Sequence, residues 1–160
     1  MEIRYAKMAD LEKISALENE CFPKAEAASK ESFEKRLKYY PKHFWLLFDG
    51  ETLVGFVNGM VTNEKDLTDE MYDKADMHDE KGDWQMIFGV DTAEKYRRQG
   101  CAEKLLNCAI ADAKKQGRKG LVLTCKDKLV HYYAKFGFEN EGFLGSEHGN
   151  VKWNQMRLTF

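Results

Sequence analysis

Two prolines and twelve glycines among 160 residues leave no Pro/Gly-rich linker and no long disordered tract. No apolar run approaches the roughly 18 residues that span a bilayer, and the opening MEIRYAKMADLEK lacks the apolar stretch of a secretory signal. The formal charge of -2 carries no cationic surplus for binding nucleic acid. Four cysteines, at 21, 101, 108 and 125, form no C-x-x-C pair. They match neither a zinc spacing nor the disulfide framework of a small secreted domain. The expectation is a cytoplasmic protein with reduced thiols, without a metal and without redox chemistry. What is present is ordinary for a globular chain, 43% hydrophobic and 32% charged. Its length suits one domain over residues 1–160 with a sizeable core.

Hydrophobic periodicity divides the chain into alternating elements. Glu2 to Tyr5 reads as a strand. Leu11, Ile14, Leu17 and Cys21 recur at helical spacing behind Asp10, and Phe22-Pro23 ends that helix. A second helix is expected from Ser29 to Tyr40, stopped by Pro41. His43–Phe48 and Leu53–Val61 flank Asp49-Gly50 as a hairpin. The segment 63–83 holds nine acidic residues and three lysines; it reads as a solvated loop with a short helix, or as an acidic rim that attracts a cation. Trp84 to Thr92 is a mostly buried strand. Ala102, Leu105, Leu106, Ala109, Ile110 and Ala113 then make the clearest helical stripe, closed by Gly117. Leu121–Cys125, Leu129–Phe136, Phe138–Gly142 and Val151–Phe160 add strand, helix and one or two last strands. This order predicts an α/β fold with a mixed sheet.

Between the 84–92 strand and the clearest helix lies Arg97-Arg98-Gln99-Gly100-Cys101-Ala102. A helix N-terminus offers unpaired amide donors and partial positive charge to an anion. Gly100 permits a left-handed turn and close approach, and the arginines add planar donors. Neither a Walker A loop nor a G-x-G-x-x-G fingerprint is present. On these residues alone, a phosphate cradle and a solvated basic turn both stand.

The pattern Arg97-x-x-Gly100-x-Ala102 resembles the Q/R-x-x-G-x-G/A loop of GNAT N-acetyltransferases. Tyr133-Ala134-Lys135-Phe136-Gly137-Phe138 is similar to that family's Y-x-K-x-G-F segment, and the helix and strand between them agree. With the early "ENECFP" and "DGETLVGFVNG", the resemblance covers nearly the whole chain; "CFPKAEAAS" and "CKDKLVHYYAKFGF" look most like arylalkylamine (serotonin-type) members. It implies a mostly antiparallel central sheet flanked by helices and splayed at the strand before the coenzyme A loop. It also implies acetyl-CoA as donor. The backbone of Phe88, Val90, Asp91 and Thr92 would hold the pantetheine arm, and Arg97, Arg98, Gln99, Gly100, Cys101, Ala102 and Glu103 would hold the pyrophosphate. Tyr133 would protonate the leaving sulfur, and a homodimer paired through C-terminal strands is a further expectation.

The base is the point of departure. The two histidines of serotonin-type enzymes fall on Met86 and Phe88, which accept no proton. Glu26 is the first candidate in their place, Asp91 a second, and Gln85 a group able to orient a water; His131 reads as a surface residue. The expected acceptor is a small cationic or arylalkyl primary amine in a pocket drawn from Phe22, Pro23, Phe33, Tyr40, Trp45 and Trp84. The alternatives are a protein N-terminus or lysine as acceptor, and a non-catalytic acyl-CoA binder.

Overall fold

A computed structural model describes residues 1–143 and 152–160. The predicted start of the last strand at Val151 lies outside the described residues. In chain order the elements are β1 (Glu2–Tyr5), α1 (Leu11–Cys21), α2 (Lys30–Tyr39), β2 (Phe44–Asp49), β3 (Thr52–Asn58) and β4 (Val61–Thr62). They continue with α3 (Asp69–Asp73), β5 (Trp84–Ile87), β6 (Gly89–Thr92), α4 (Cys101–Lys115), β7 (Gly120–Cys125), α5 (Val130–Ala134), β8 (Glu139–Phe143) and β9 (Asn154–Thr159). No described helix is long and apolar enough to cross a membrane.

The strands form two sheets, β1-β2-β3-β6 and β4-β5-β7-β9-β8. Every pairing is antiparallel except β5 with β7. The expected α/β fold with a mixed, mostly antiparallel sheet is therefore what the chain adopts. Two runs that read as single strands are each divided. Leu53–Val61 breaks at Gly59 and Met60, and Trp84–Thr92 breaks at Phe88, so that each run leaves one sheet and joins the other. The sheets part there.

Side-chain alternation on β2 and β3 feeds two cores. Phe44, Leu46, Phe48 and Phe56 pack with α1 and α2, whereas Trp45, Leu47, Val54 and Val57 pack with α4. The helices therefore lie on opposite faces, with Ile14, Phe33, Leu105 and Leu106 among the side chains wholly removed from water. The 63–83 segment is mostly exposed and carries the expected short helix, α3, but it is anchored to the core. Leu67, Met71 and Ala75 are buried in the α1–α2 core, and Leu67 N–H donates to Gln155 Oε1 (3.0 Å).

The divided strands are stapled where they separate. Gln85, on β5 and 1% exposed, donates through Nε2 to the carbonyls of Gly59 (2.9 Å) and Met86 (2.8 Å). Its Oε1 meets His43 Nδ1 at 2.9 Å. The amide is fully occupied in holding backbone, so Gln85 is not free to orient a water as expected. Met86 N–H also donates to Met60 O (2.8 Å) and Phe88 N–H to Asn58 O (2.7 Å). The backbones approach so closely that a Cβ on Gly59 would stand 1.8 Å from the Met86 carbonyl oxygen. Gly59→Ala is expected to cost about 3 kcal/mol, the upper part of the range for overpacking, read from the urea midpoint at constant m-value. A loss below about 1 kcal/mol would show that the crossing tolerates a wider gap.

Candidate active site

Separation of the sheets opens a cleft between β6 and β7, a cavity of about 300 Å³. Glu18, Arg36, Asn58 and Tyr72 line it from the α1–α2 side, and Thr124, Cys125 and Tyr133 from the far side, with Phe88, Gly89 and Val90 along its floor. Tyr72 packs against Phe88 with the rings tilted at 36° and their centroids 4.6 Å apart. Its hydroxyl is hydrogen-bonded to Thr124 Oγ1 (3.2 Å), tying the α3 segment to β7.

β6 is an edge strand, and its register fixes which backbone groups face the cleft. Ala93 N–H donates to Val54 O (2.7 Å), and Asp91 and Gly89 pair with Phe56 and Asn58. Alternate residues of an antiparallel ladder turn their amides to opposite sides. Val90 and Thr92 thus direct theirs away from β3. Thr92 O accepts from Cys21 Sγ (3.3 Å) and from Arg97 Nε (3.1 Å), whereas Val90 faces the cavity.

Past β6 the chain enters the Arg-Gly loop. Gly100 has φ +80°, Arg98 has φ +64°, and α4 begins at Cys101. Nothing lies within 4 Å of a Cβ built on Gly100, so the helix N-terminus opens onto free space. Arg97 reaches back to Thr92, and Gln99 Nε2 donates to Lys95 O (3.1 Å). Cys101 is buried among the α4 core residues, which leaves only its N–H for a ligand, and the exposed Glu103 places a carboxylate in the first turn. Ala102 is half-buried there.

Tyr133, on α5, is 8% exposed and lines the cleft. Burial pushes its phenol well up from the ordinary value, and the thiol of Cys125 adds to the shift. Tyr132 lies edge-on to it at 5.1 Å. Cys125 is pushed up to about 11 by burial, and the cysteines are free thiols. Glu26 also lines the cavity, where Lys126 Nζ approaches Oε1 at 2.9 Å and Oε2 at 3.2 Å. His131 is exposed.

The aromatic pocket needs correction. Phe33, Tyr40, Trp45 and Trp84 are core residues and Pro23 is exposed; of the expected set Phe22 alone reaches the cleft, joined by Phe88, Tyr72 and Trp153. The acidic rim is also partly consumed. Asp66 binds Arg157, Glu70 binds Lys74, Asp83 binds Lys119, and Glu80 meets His43, His78 and Arg118. Of that segment's carboxylates, Asp73 lines the cavity.

Sequence reasoning missed Glu18 and Arg36, which looked like the polar faces of amphipathic helices. Glu18 is 7% exposed; its Oε2 accepts from Ala28 N–H (2.8 Å), and its carboxyl acts electrostatically on that of Asp91. Asp91 is wholly buried on the same face of β6. Burial first, then Glu18, raises its carboxyl well above the ordinary range. Arg36 Nη1 donates to Asn58 Oδ1 (2.9 Å) and Nη2 to Tyr72 O (3.0 Å).

A parted edge strand and a buried tyrosine thus line one cleft, and a glycine-turned helix N-terminus follows that strand in the chain. The Acetyltransferase (GNAT) family pattern matches residues 11–138. The chain belongs to that family. It is an acyltransferase, and its fold is the GNAT fold. The chain is 24% identical over 147 residues to the Probable hydrolase YhcX of Bacillus subtilis (strain 168), a match covering 84% of this chain but only 28% of that protein. Among solved structures, the loading GNATL domain of CurA from Lyngbya majuscula superposes with a TM-score of 0.87 at 15% identity, over 99% of this chain and 96% of that one. The PaiA N-acetyltransferase of Thermoplasma acidophilum, solved with coenzyme A, gives 0.72 at 19% identity, over 99% and 98%.

The raised Asp91 sets a pH dependence of stability for this GNAT fold. The folded chain keeps a proton that the unfolded chain releases above about pH 4. The unfolded state then binds fewer protons, so stability falls by up to about 1.4 kcal/mol per pH unit until the raised folded value is reached. Asp91→Asn keeps the shape of the side chain but removes the titration. It is expected to be more stable than wild type at pH 8, with the advantage shrinking toward pH 4, as read from urea denaturation across that range. An offset constant with pH would contradict this origin.

Proposed function

We propose that the chain, acting as one catalytic domain over residues 1–160, transfers an acetyl group from acetyl-CoA to a small primary amine of cationic or arylalkyl type. The observation that carries the reading is the cleft itself. At about 300 Å³ it has the size of a small-molecule site. The Tyr72–Thr124 hydrogen bond limits it on one side, its walls carry Phe22, Phe88 and Tyr72, and Glu18 and Asp73 supply negative charge. An arylalkyl ammonium matches that combination better than a polypeptide chain, which needs an open groove.

The residues present also fit the donor. Open space in front of Gly100 and the N-terminus of α4 suit a pyrophosphate, with Arg97 to Glu103 surrounding it chiefly through backbone. Phe88 to Thr92 lead from that loop to the cavity. Acetyl-CoA, when bound, supplies an electrophilic thioester carbonyl and a thiolate leaving group. In this reading Val90 offers its N–H to the carbonyl oxygen as charge develops there, a preorganised donor of the oxyanion type. Tyr133 keeps its proton at neutral pH because burial opposes ionisation, and gives it to the departing sulfur. Glu26, held by Lys126, shapes the acceptor wall.

A thiol-release assay over a panel of arylalkylamines, polyamines and peptide N-termini tests the reading. Turnover is expected with small amines; turnover with peptides alone would assign a protein acceptor, and coenzyme binding without any turnover a non-catalytic role. Tyr133→Phe should lower kcat by roughly 10²-fold with coenzyme affinity within about twofold, and unchanged kcat would remove the acid role. Gly100→Val places a branched side chain at φ +80°, facing the open space, and should abolish coenzyme binding measured by calorimetry. Retained affinity would dismiss the loop assignment.

A further inference from the structure

Arg36 is a buried cation without a counter-ion. It is 2% exposed and lines the cavity from α2. Its Nη1 donates to Asn58 Oδ1 (2.9 Å) and its Nη2 to Tyr72 O (3.0 Å), both neutral acceptors. Nε is buried with no acceptor. The guanidinium lies over the Phe88 ring at 4.9 Å and the Phe33 ring at 5.0 Å. Among the described residues it forms no ion pair with a carboxylate. Asp91 does not neutralise it, because burial holds that carboxyl toward its protonated form.

Beside it stands Asn58, 1% exposed and also on the cavity wall. Because its Oδ1 accepts from Arg36, its Nδ2 is the amide donor, and among the described residues that donor meets no acceptor. Nδ2 lies 3.6 Å from the Cβ position of Gly89, and Glu18 Oε1 lies 4.0 Å from the same point. A donor and a carboxylate oxygen thus flank the bare backbone of the cavity floor. A buried charge is costly unless it is paired, and neutral acceptors and aromatic faces offset only part of that cost. An anion against the guanidinium completes the site, and the planar fork of an arginine matches a carboxylate.

We propose that Arg36 and Asn58 receive a carboxylate carried by the acceptor, so that the amine acetylated in this cleft is an aromatic α-amino acid rather than a bare arylalkylamine. The inference rests on the acetyltransferase reading above and names the substrate class of the same site. The ligand's carboxylate meets Arg36 and Asn58, its amino group donates to Glu18, and its ring lies among Phe22, Phe88 and Tyr72. A zwitterion therefore answers a buried cation and a nearby carboxylate in one molecule. Position along the floor gives the carboxylate to the acceptor and not to the acyl group. In that reading the thioester oxygen faces Val90, whereas Arg36 sits over Phe88, two residues farther from the coenzyme loop and roughly 6.5 Å along extended chain. A carboxylate reached from the thioester carbon through nitrogen and Cα spans most of that distance. One on the acyl group, a single methylene away, falls short.

The test compares kcat/KM for 2-phenylethylamine, phenylalanine and phenylalaninamide, which differ only in what the α-carbon carries. Wild type should prefer phenylalanine to either of the others by roughly tenfold to a hundredfold, the range for a hydrogen bond to a charged group. The ratio is the readout, since a folding defect lowers all three rates together. Asn58→Asp sets a carboxylate where Asn58 Oδ1 now accepts from Arg36, so the missing charge comes from within and the preference should vanish or invert. Arg36→Gln should likewise abolish it, with coenzyme affinity by calorimetry confirming that the variant has folded. If wild type acetylates the bare amine as well as phenylalanine, or if both variants keep the wild-type ratio, the carboxylate site is overturned and the acetyltransferase reading stands. A preference that depends on Arg36 but follows malonyl-CoA over acetyl-CoA, with the bare amine as acceptor, would give the carboxylate to the donor and overturn the acceptor assignment. If wild type binds acetyl-CoA yet acetylates no amine, the acetyltransferase reading fails and the acceptor class falls with it. Calorimetry of the coenzyme A complex gives a readout free of turnover. N-acetylphenylalanine should bind roughly tenfold or more tightly than its carboxamide and lose that margin in Asn58→Asp; equal affinities in wild type would overturn the site.

Discussion

Everything functional in this protein depends on the parting of two strands that are each continuous in sequence. At Gly59–Met60 and at Phe88 the chain leaves one sheet for the other, and the gap is held by the Gln85 amide bridging the carbonyls of Gly59 and Met86. An ordinary ladder through this region would pair Val90 with a second neighbour and close the cavity. The fold gives up ladder hydrogen bonds over a few residues. It recovers part of that loss from one buried side chain, because a buried amide with all its groups bonded costs little while orphaned backbone costs a good deal.

Once the sheets part, the two faces of the molecule acquire different tasks. The α4 face carries the glycine turn and the helix N-terminus; the α1–α2 face carries Glu18, Arg36 and the polar end of the cleft. β6 connects them, because strand alternation sends Val90 toward one core and Asp91 toward the other. A single strand thereby turns Val90 to the cleft and buries the Asp91 carboxyl on its other face.

The energetic weight of the site falls on buried ionisable groups. Asp91 and Tyr133 are both pushed by burial toward their protonated forms. Burying a carboxyl without a donor costs stability, as expected where sequence-level rules are broken near a candidate site. The acidic 63–83 segment shows the opposite use of charge, with Asp66, Glu70, Glu80 and Asp83 tied to nearby cations.

Much of this was legible in the chain itself. The helical stripe 102–113, the Asp49-Gly50 hairpin and the Arg97–Ala102 loop are local patterns whose period or turn chemistry admits few alternatives, and Tyr133 followed from its spacing to Gly137. The division of strand 84–92 was suggested only through family resemblance, since a strand crossing between sheets has the same alternation as one that stays in place. Glu18 and Arg36 escaped because a helix polar face reads alike whether it meets water or the wall of a cleft. The expected aromatic pocket failed for the converse reason: Phe33, Tyr40, Trp45 and Trp84 carry no mark telling a core position from a cavity lining. Sequence by itself determined the elements and the glycine turn before α4, because those depend on neighbours within a turn or two. The burial of Glu18 and Asp91 beside one cleft was decided by tertiary structure alone, because they lie far apart along the chain and come near each other only when α1 packs on β6.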